Sequence, residues 1–90
     1  MKEIDNLPND FSEQIHKIVG KNVKQIRTSK GISQLKLAYA LGYKSVSPIS
    51  CAEIYYNKIH FNIEQLTKIA YVLEVEVSEF FEGINEIYNV

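Results

Sequence analysis

The sequence predicts an all-α domain of five short helices, and three observations carry that reading. Apolar residues recur at helical spacing along most of the chain. Polar residues that cap helices precede these runs, and glycines stand where the runs stop. At 90 residues the chain has room for one domain. A domain of that size buries only about 60% of its unfolded surface, so its core must be efficient. With 46% apolar residues the supply is adequate.

Asp10 and Glu13 make a D-x-x-E pattern, read as a capping box that opens the first helix. Phe11, Ile15, Ile18, Val19, Val23 and Ile26 follow at helical spacing. Gly20 interrupts them and predicts a kink between two helical pieces. Lys30-Gly31 is a stop signal: a cation against the carbonyl end, then a residue free to turn left-handed. Ser33 is the expected N-cap of the second helix, which carries Leu35, Leu37, Ala38 and Leu41 and ends at Gly42.

Ser45 is the expected N-cap of the third helix, with Val46, Ser47 and Pro48 in its first turn. Proline is tolerated there because the first N–H groups of a helix have no intrahelical acceptor. Ile49, Ala52 and Tyr56 are expected to face the core. A loop from Asn57 to Phe61 leads to a second capping box, Asn62 with Gln65, stapled by Phe61 and Leu66. The fourth helix carries Leu66, Ile69, Ala70 and Leu73. Val75-Glu76-Val77 is too short to stand alone as a strand. Ser78 is the expected cap of a fifth helix containing Phe80 and Phe81, and Ile84, Ile87 and Tyr88 continue its apolar stripe.

The formal net charge is only −1, but the charges are segregated. Residues 1–13 hold Lys2 against Glu3, Asp5, Asp10 and Glu13. Residues 14–52 hold Lys17, Lys21, Lys24, Arg27, Lys30, Lys36 and Lys44 with no acid. Residues 53–90 hold Lys58 and Lys68 among seven glutamates. A basic middle between acidic ends points to a polyanion partner, against the alternative of a merely solvated lysine face. The expected organisation is an acidic N-terminal segment over 1–13, a helical domain over 14–83 and a C-terminal tail over 84–90.

A lone cysteine, Cys51, cannot form an internal disulfide. The first residues also lack the apolar core of a secretory leader, and no stretch approaches the ~20 apolar residues of a membrane span. A cytoplasmic protein with no membrane association is expected. His16, Cys51 and His60 do not have metal-ligand spacing, and there is no nucleophile-base arrangement, phosphate loop or dinucleotide fingerprint. Neither catalysis nor a cofactor is therefore expected. Cys51 is more simply a small apolar residue than a redox switch.

The run from Ser33 to Tyr56 reads as a helix, a glycine turn and a second helix, with Ala38 and Ala52 small enough for a close crossing. This is a helix-turn-helix, whose second helix can lie in a major groove ~12 Å wide. At this point the chain resembles the phage repressor and Cro family of regulators, often called the XRE family. The resemblance covers about Val19 to Phe81. GKNVKQIRTSKGISQLKLAYALGY is similar to that family's first two helices, SPISCAE to its recognition helix, and IEQLTKIAYVLEVEVSEFF to its fourth and fifth helices. Two segments depart from the pattern. The turn at Tyr43-Lys44-Ser45 is about one residue longer, and the loop after Glu53 is longer and lacks the usual glycine.

The resemblance implies a five-helix repressor-like domain that binds double-stranded DNA sequence-selectively as a transcriptional regulator and homodimer, with a recognition helix over about 46–56. It implies phosphate contacts from Gln34, Lys44, Ser45 and Lys58, and base-facing positions at Val46, Ser47, Ser50 and Cys51. Ile54 shares that exposed face. None of these base-facing residues is an Arg, Gln or Asn able to make bidentate base contacts, so phosphates and DNA shape are expected to contribute more than direct readout. The alternative is a protein-interaction module, such as an antitoxin-like partner or adaptor, that has lost base reading.

Two further expectations concern structure. Arg27 is the only arginine, and Glu53 the only acid between Glu13 and Glu64. The resemblance implies that they form a shielded ion pair behind the DNA-binding face, against the alternative that Arg27 contacts phosphate. Ile84, Ile87 and Tyr88 lie past the resembling region and are expected to pack on a second subunit, against the alternative that they fold back over the first helix.

Overall fold

The computed structural model describes Met1–Tyr88. Those residues contain four α-helices: α1 (Phe11–Ser29), α2 (Gln34–Ala40), α3 (Ser47–Glu53) and α4 (Ile63–Leu73). Short 3₁₀ turns occupy Ile4–Asn6, Tyr56–Lys58, Val77–Phe81 and Ile84–Ile87. No strand occurs among the described residues. The all-α expectation is met, with one change. The fifth helix is a 3₁₀ turn, because Glu82 is extended and Gly83 is left-handed (φ 88°), which stops it after Phe81.

The core gathers around Val23, Leu37, Ile49, Ile69, Leu73 and Phe80, all fully buried. Their origins explain the architecture. α1 packs against α3 and both C-terminal turns, while α2 packs against α3 and α4. Each short helix therefore hides its apolar stripe against at least two neighbours, which offsets the marginal stability of a seven-residue helix.

α1 is one helix of 19 residues with no break at Gly20. A Cβ at Gly20 would lie 2.6 Å from the carbonyl oxygens of both Ala52 and Glu53. The glycine thus serves a close backbone crossing of α1 over the end of α3, and the expected kink is absent. The capping box at its start is absent too. Asp10 has φ −103° and ψ 21°, outside the extended conformation that aims a cap side chain. Its carboxylate instead accepts from Gln14 Nε2 (2.7 Å), and Glu13 pairs with Lys17 (3.0 Å).

Three helices end in the same double hydrogen bond. Ile32 N–H donates to Arg27 O (3.2 Å) and Gly31 N–H to Thr28 O (3.0 Å) at the end of α1. Tyr43 N–H donates to Ala38 O (3.0 Å) and Gly42 N–H to Tyr39 O (3.0 Å) after α2. Val75 N–H donates to Ala70 O (3.0 Å) and Glu74 N–H to Tyr71 O (3.2 Å) after α4. Each is a Schellman turn, which needs a left-handed residue at its centre. Gly31 (φ 71°) and Gly42 (φ 87°) supply it cheaply, whereas the third turn uses Glu74 (φ 58°).

Ser33 caps α2 as expected, accepting from Lys36 N–H (3.0 Å). The Asn62–Gln65 capping box is complete, at 2.7 and 2.9 Å, and its staple residues Phe61 and Leu66 are buried. Gln65 Nε2 also donates to the Tyr43 hydroxyl (2.8 Å), tying the start of α4 to the turn before α3. Ser78 is not a cap: Glu76 stands at that position, and Glu79 Oε2 accepts from its N–H (2.9 Å).

The C-terminal stripe folds back on its own chain. Ile87 is 9% exposed, Ile84 packs against the core, and the turn that carries them lies on α1. The expectation that this stripe is left uncovered is not met for Ile84 and Ile87, whereas Tyr88 is 42% exposed. Asn22 of α1 reinforces the docking, its Nδ2 donating to Phe80 O and Glu82 O at 2.9 Å each. Phe81, expected in the core beside Phe80, is 39% exposed.

Candidate nucleic-acid interface

The geometry of α3 is set from behind. Arg27 and Glu53 are 5% and 3% exposed. Arg27 Nε donates to Glu53 Oε2 (2.7 Å) and Nη2 to Glu53 Oε1 (3.0 Å), a two-pronged pair. Nη1 donates to Ile32 O (2.7 Å), in the turn between α1 and α2. All three guanidinium nitrogens therefore donate within the protein, and Arg27 does not point outward. The pair joins the last turn of α1 to the last residue of α3, and Gly20 brings the same two helices into backbone contact two turns earlier on α1.

Gln34, expected to meet phosphate, is half-buried, and its Nε2 donates to Glu53 Oε1 (2.9 Å). In this structure the amide serves the ion pair. Glu53 thereby accepts three hydrogen bonds from two helices, and no buried side-chain polar atom among the described residues lacks a partner. A buried charge pair is tolerable only with its lone pairs satisfied in this way.

α3 begins one residue later than expected. Val46 is its N-cap, so Ser45 is not the cap, and Pro48 occupies the first turn. It ends at Glu53, with Ile54 leaving helical geometry and Tyr55 left-handed (φ 58°). α3 thus spans Ser47–Glu53, shorter than the 46–56 expected for a recognition helix. Tyr56 loses the helical register that aimed it inward and is 56% exposed.

Ile49, Ala52 and Glu53 form the buried face of α3. The opposite side presents Ser47 and Ile54 as exposed residues, with Val46, Ser50 and Cys51 half-buried. Lys44 and Ser45, in the preceding turn, are exposed, as is Lys58 in the loop beyond. Among the described residues the ion pairs are Glu13–Lys17, Arg27–Glu53 and Glu64–Lys68. Lys21, Lys24, Lys30, Lys36, Lys44 and Lys58 enter none of them.

Two features escaped the sequence reading. The loop after α3 holds three non-glycine residues in left-handed backbone: Tyr55, Asn57 and Lys58. His60, at its end, lies face to face with His16 of α1, ring centroids 3.7 Å apart. Sequence periodicity carries no signal for either: the ring stack joins residues more than forty apart, and a positive φ at a non-glycine residue leaves no periodic mark. No group of three or more His, Cys, Asp or Glu residues able to hold a metal occurs among the described residues, and no described helix is long and apolar enough to cross a membrane. Comparison with protein-family models, curated proteins and solved structures returns no match, so the site stands on its own geometry.

Proposed function

We propose that this chain is a repressor-like helix-turn-helix regulator that binds duplex DNA sequence-selectively through α3. One observation carries the reading. The Arg27–Glu53–Gln34 network anchors α3 from its buried side, while Ser47, Ser50, Cys51 and Ile54 remain on the other side among exposed lysines. A helix held rigidly from behind and presented with small side chains in front suits groove insertion. Lys36, Lys44 and Lys58, in no intramolecular ion pair, are available for phosphates, and Ser47 and Ser50 for base edges. The protein acts as a homodimer in this proposal, its two α3 helices about 34–36 Å apart along the DNA. The C-terminal stripe gives no support to that dimer.

The test is binding to duplexes selected from a random pool, followed across salt concentration. A dimer contacting about 6–10 phosphates loses about 10³–10⁵ in affinity between 50 and 200 mM salt. Lys44→Gln should lower affinity for all duplexes similarly, and Ser47→Ala should change which duplexes are preferred. Affinity that is flat in salt, or selection that yields no shared site, removes the proposal.

A second reading is favoured by a specific observation. Leu35, Tyr39, Ile54, Tyr56 and Ile59, on α2, α3 and the following loop, are exposed. An apolar surface of this kind suits a protein partner better than phosphates. In that case Ile54→Asp abolishes partner binding, and affinity for generic DNA is weak at every salt concentration.

A further inference from the structure

The loop after α3 is unusual in how it is held. Tyr55, Asn57 and Lys58 adopt left-handed backbone without the help of glycine, a conformation that Asn accepts more readily than Tyr or Lys. Something must hold the loop there. His60, at its far end, stacks on His16 of α1 with an interplanar angle of 20°. Tyr55, at its near end, stacks on the same His16 ring at 5.7 Å and 14°. Both ends of the loop thus meet one imidazole on α1, one helical turn before the Gly20 crossing.

We propose that His16 and His60 form an acid-sensitive latch that closes the loop between α3 and α4 on α1 and opens when both rings are protonated.

The chemistry follows from the contacts. His60 Nδ1 lies 2.9 Å from Lys58 O, an acceptor, so Nδ1 carries a proton and Nε2 is the site that takes a second. One imidazolium can rest on the face of a neutral ring. Two imidazolium rings 3.7 Å apart repel one another. The surrounding charges do not relieve this repulsion. On α1, Glu13 is already paired with Lys17 at 3.0 Å. At the start of α4, Glu64 lines the same crevice but is paired with Lys68 at 3.1 Å. On the loop itself Lys58 adds a like charge, and the remaining neighbour, Tyr55, supplies no carboxylate. Burial, and secondarily the charge of His60, lower the His16 pKa below the ordinary imidazole value of 6.5. A base held below its ordinary value favours the closed state fully above about pH 6.5. That contribution is lost as pH falls through the lowered value.

Amide exchange in the full-length protein tests the latch. The N–H groups of Lys58 and Ile59 donate to Tyr55 O (3.2 Å) and Tyr56 O (3.0 Å) and report loop closure. Their protection at pH 7.5 and 5.5 is compared after correction for intrinsic exchange chemistry. The expected result is a loss of about threefold or more at pH 5.5, in the direction set by the lowered His16 pKa. Amides of α1 keep their protection. His16→Phe, which stacks but does not titrate, should hold the pH 7.5 level at both values; if it fails to fold, His16→Gln removes the same titration. Protection that is constant in the wild type overturns the proposal. So does a loss shared by α1, or one that persists in the His16 variant.

Discussion

The junction of α1 with α3 and the loop that follows α3 adjoin in sequence, yet they are held by opposite means. At the junction Arg27 and Glu53 are buried and paired, half-buried Gln34 bonds to Glu53, backbone meets backbone at Gly20, and all three guanidinium nitrogens of Arg27 donate. In the loop, Tyr56, Asn57, Lys58, Ile59 and His60 are exposed, three backbones are left-handed, and the tie to α1 is a stack of rings. The difference teaches where rigidity is needed. A two-pronged ion pair fixes distance and angle together, which suits the element whose orientation matters. Stacked rings fix a separation but tolerate sliding and respond to protons.

The largest break in this contrast should come from Glu53→Gln, which leaves the Arg27 guanidinium buried without its counter-charge. A loss of about 3–5 kcal/mol in chemical denaturation is expected. A loss under 1 kcal/mol would mean that water reaches the pair. Gly20→Ala comes next. Alanine is the better helix former by about 1 kcal/mol, yet its Cβ would press on two carbonyl oxygens, so a net loss of about 1–3 kcal/mol is expected. A gain in melting temperature would show that α1 and α3 separate easily.

In the opposite direction, Glu74→Gly and Lys58→Gly relieve left-handed backbone at exposed positions. Each should stabilise by about 0.5–1 kcal/mol, the relief of strain exceeding the entropic cost of glycine. The smallest effect is the pH dependence of the whole fold. Because His16 is held below its ordinary value, melting temperature should be level above pH 6.5 and decline gently below it. The decline should vanish in His16→Phe.

How legible these regions were in the sequence follows from the range of the forces involved. Gly31 and Gly42 announced their turns because glycine is itself the cause of the left-handed conformation. The turns at Glu74 and at Tyr55, Asn57 and Lys58 carried no such mark, since none of these residues is a glycine. Gly20 was visible but misread: a glycine in a helix weakens it or makes room, and only the partner, Ala52-Glu53, decides which. The Ser45 cap failed for a related reason, because α3 takes its start from Pro48 and from packing on α1 and α2. The Arg27–Glu53 pair was legible through scarcity, as the one arginine and the one acid between Glu13 and Glu64, together with the family resemblance. Gln34 was seen as a surface donor, since nothing local showed that Glu53 would come within its reach. Whether α3 meets DNA lies beyond what periodicity, caps and charge can say, because small serine and valine side chains are compatible with either partner class.

The connections of α1 have a consequence for the order in which the protein is made. α1 leaves the ribosome before any of the segments that satisfy it. The carboxylate for Arg27 follows 26 residues later, and the carbonyls for Asn22 follow 58 and 60 residues later. Until then α1 is an amphipathic helix with a bare apolar stripe, an unpaired cation and a glycine notch open to any passing backbone. Its final partners arrive 58 and 60 residues after Asn22, so docking of the turns that carry Phe80 and Glu82 follows synthesis of all four α-helices. Nascent chains halted before Phe80 should therefore be the species most dependent on chaperones and most prone to join one another.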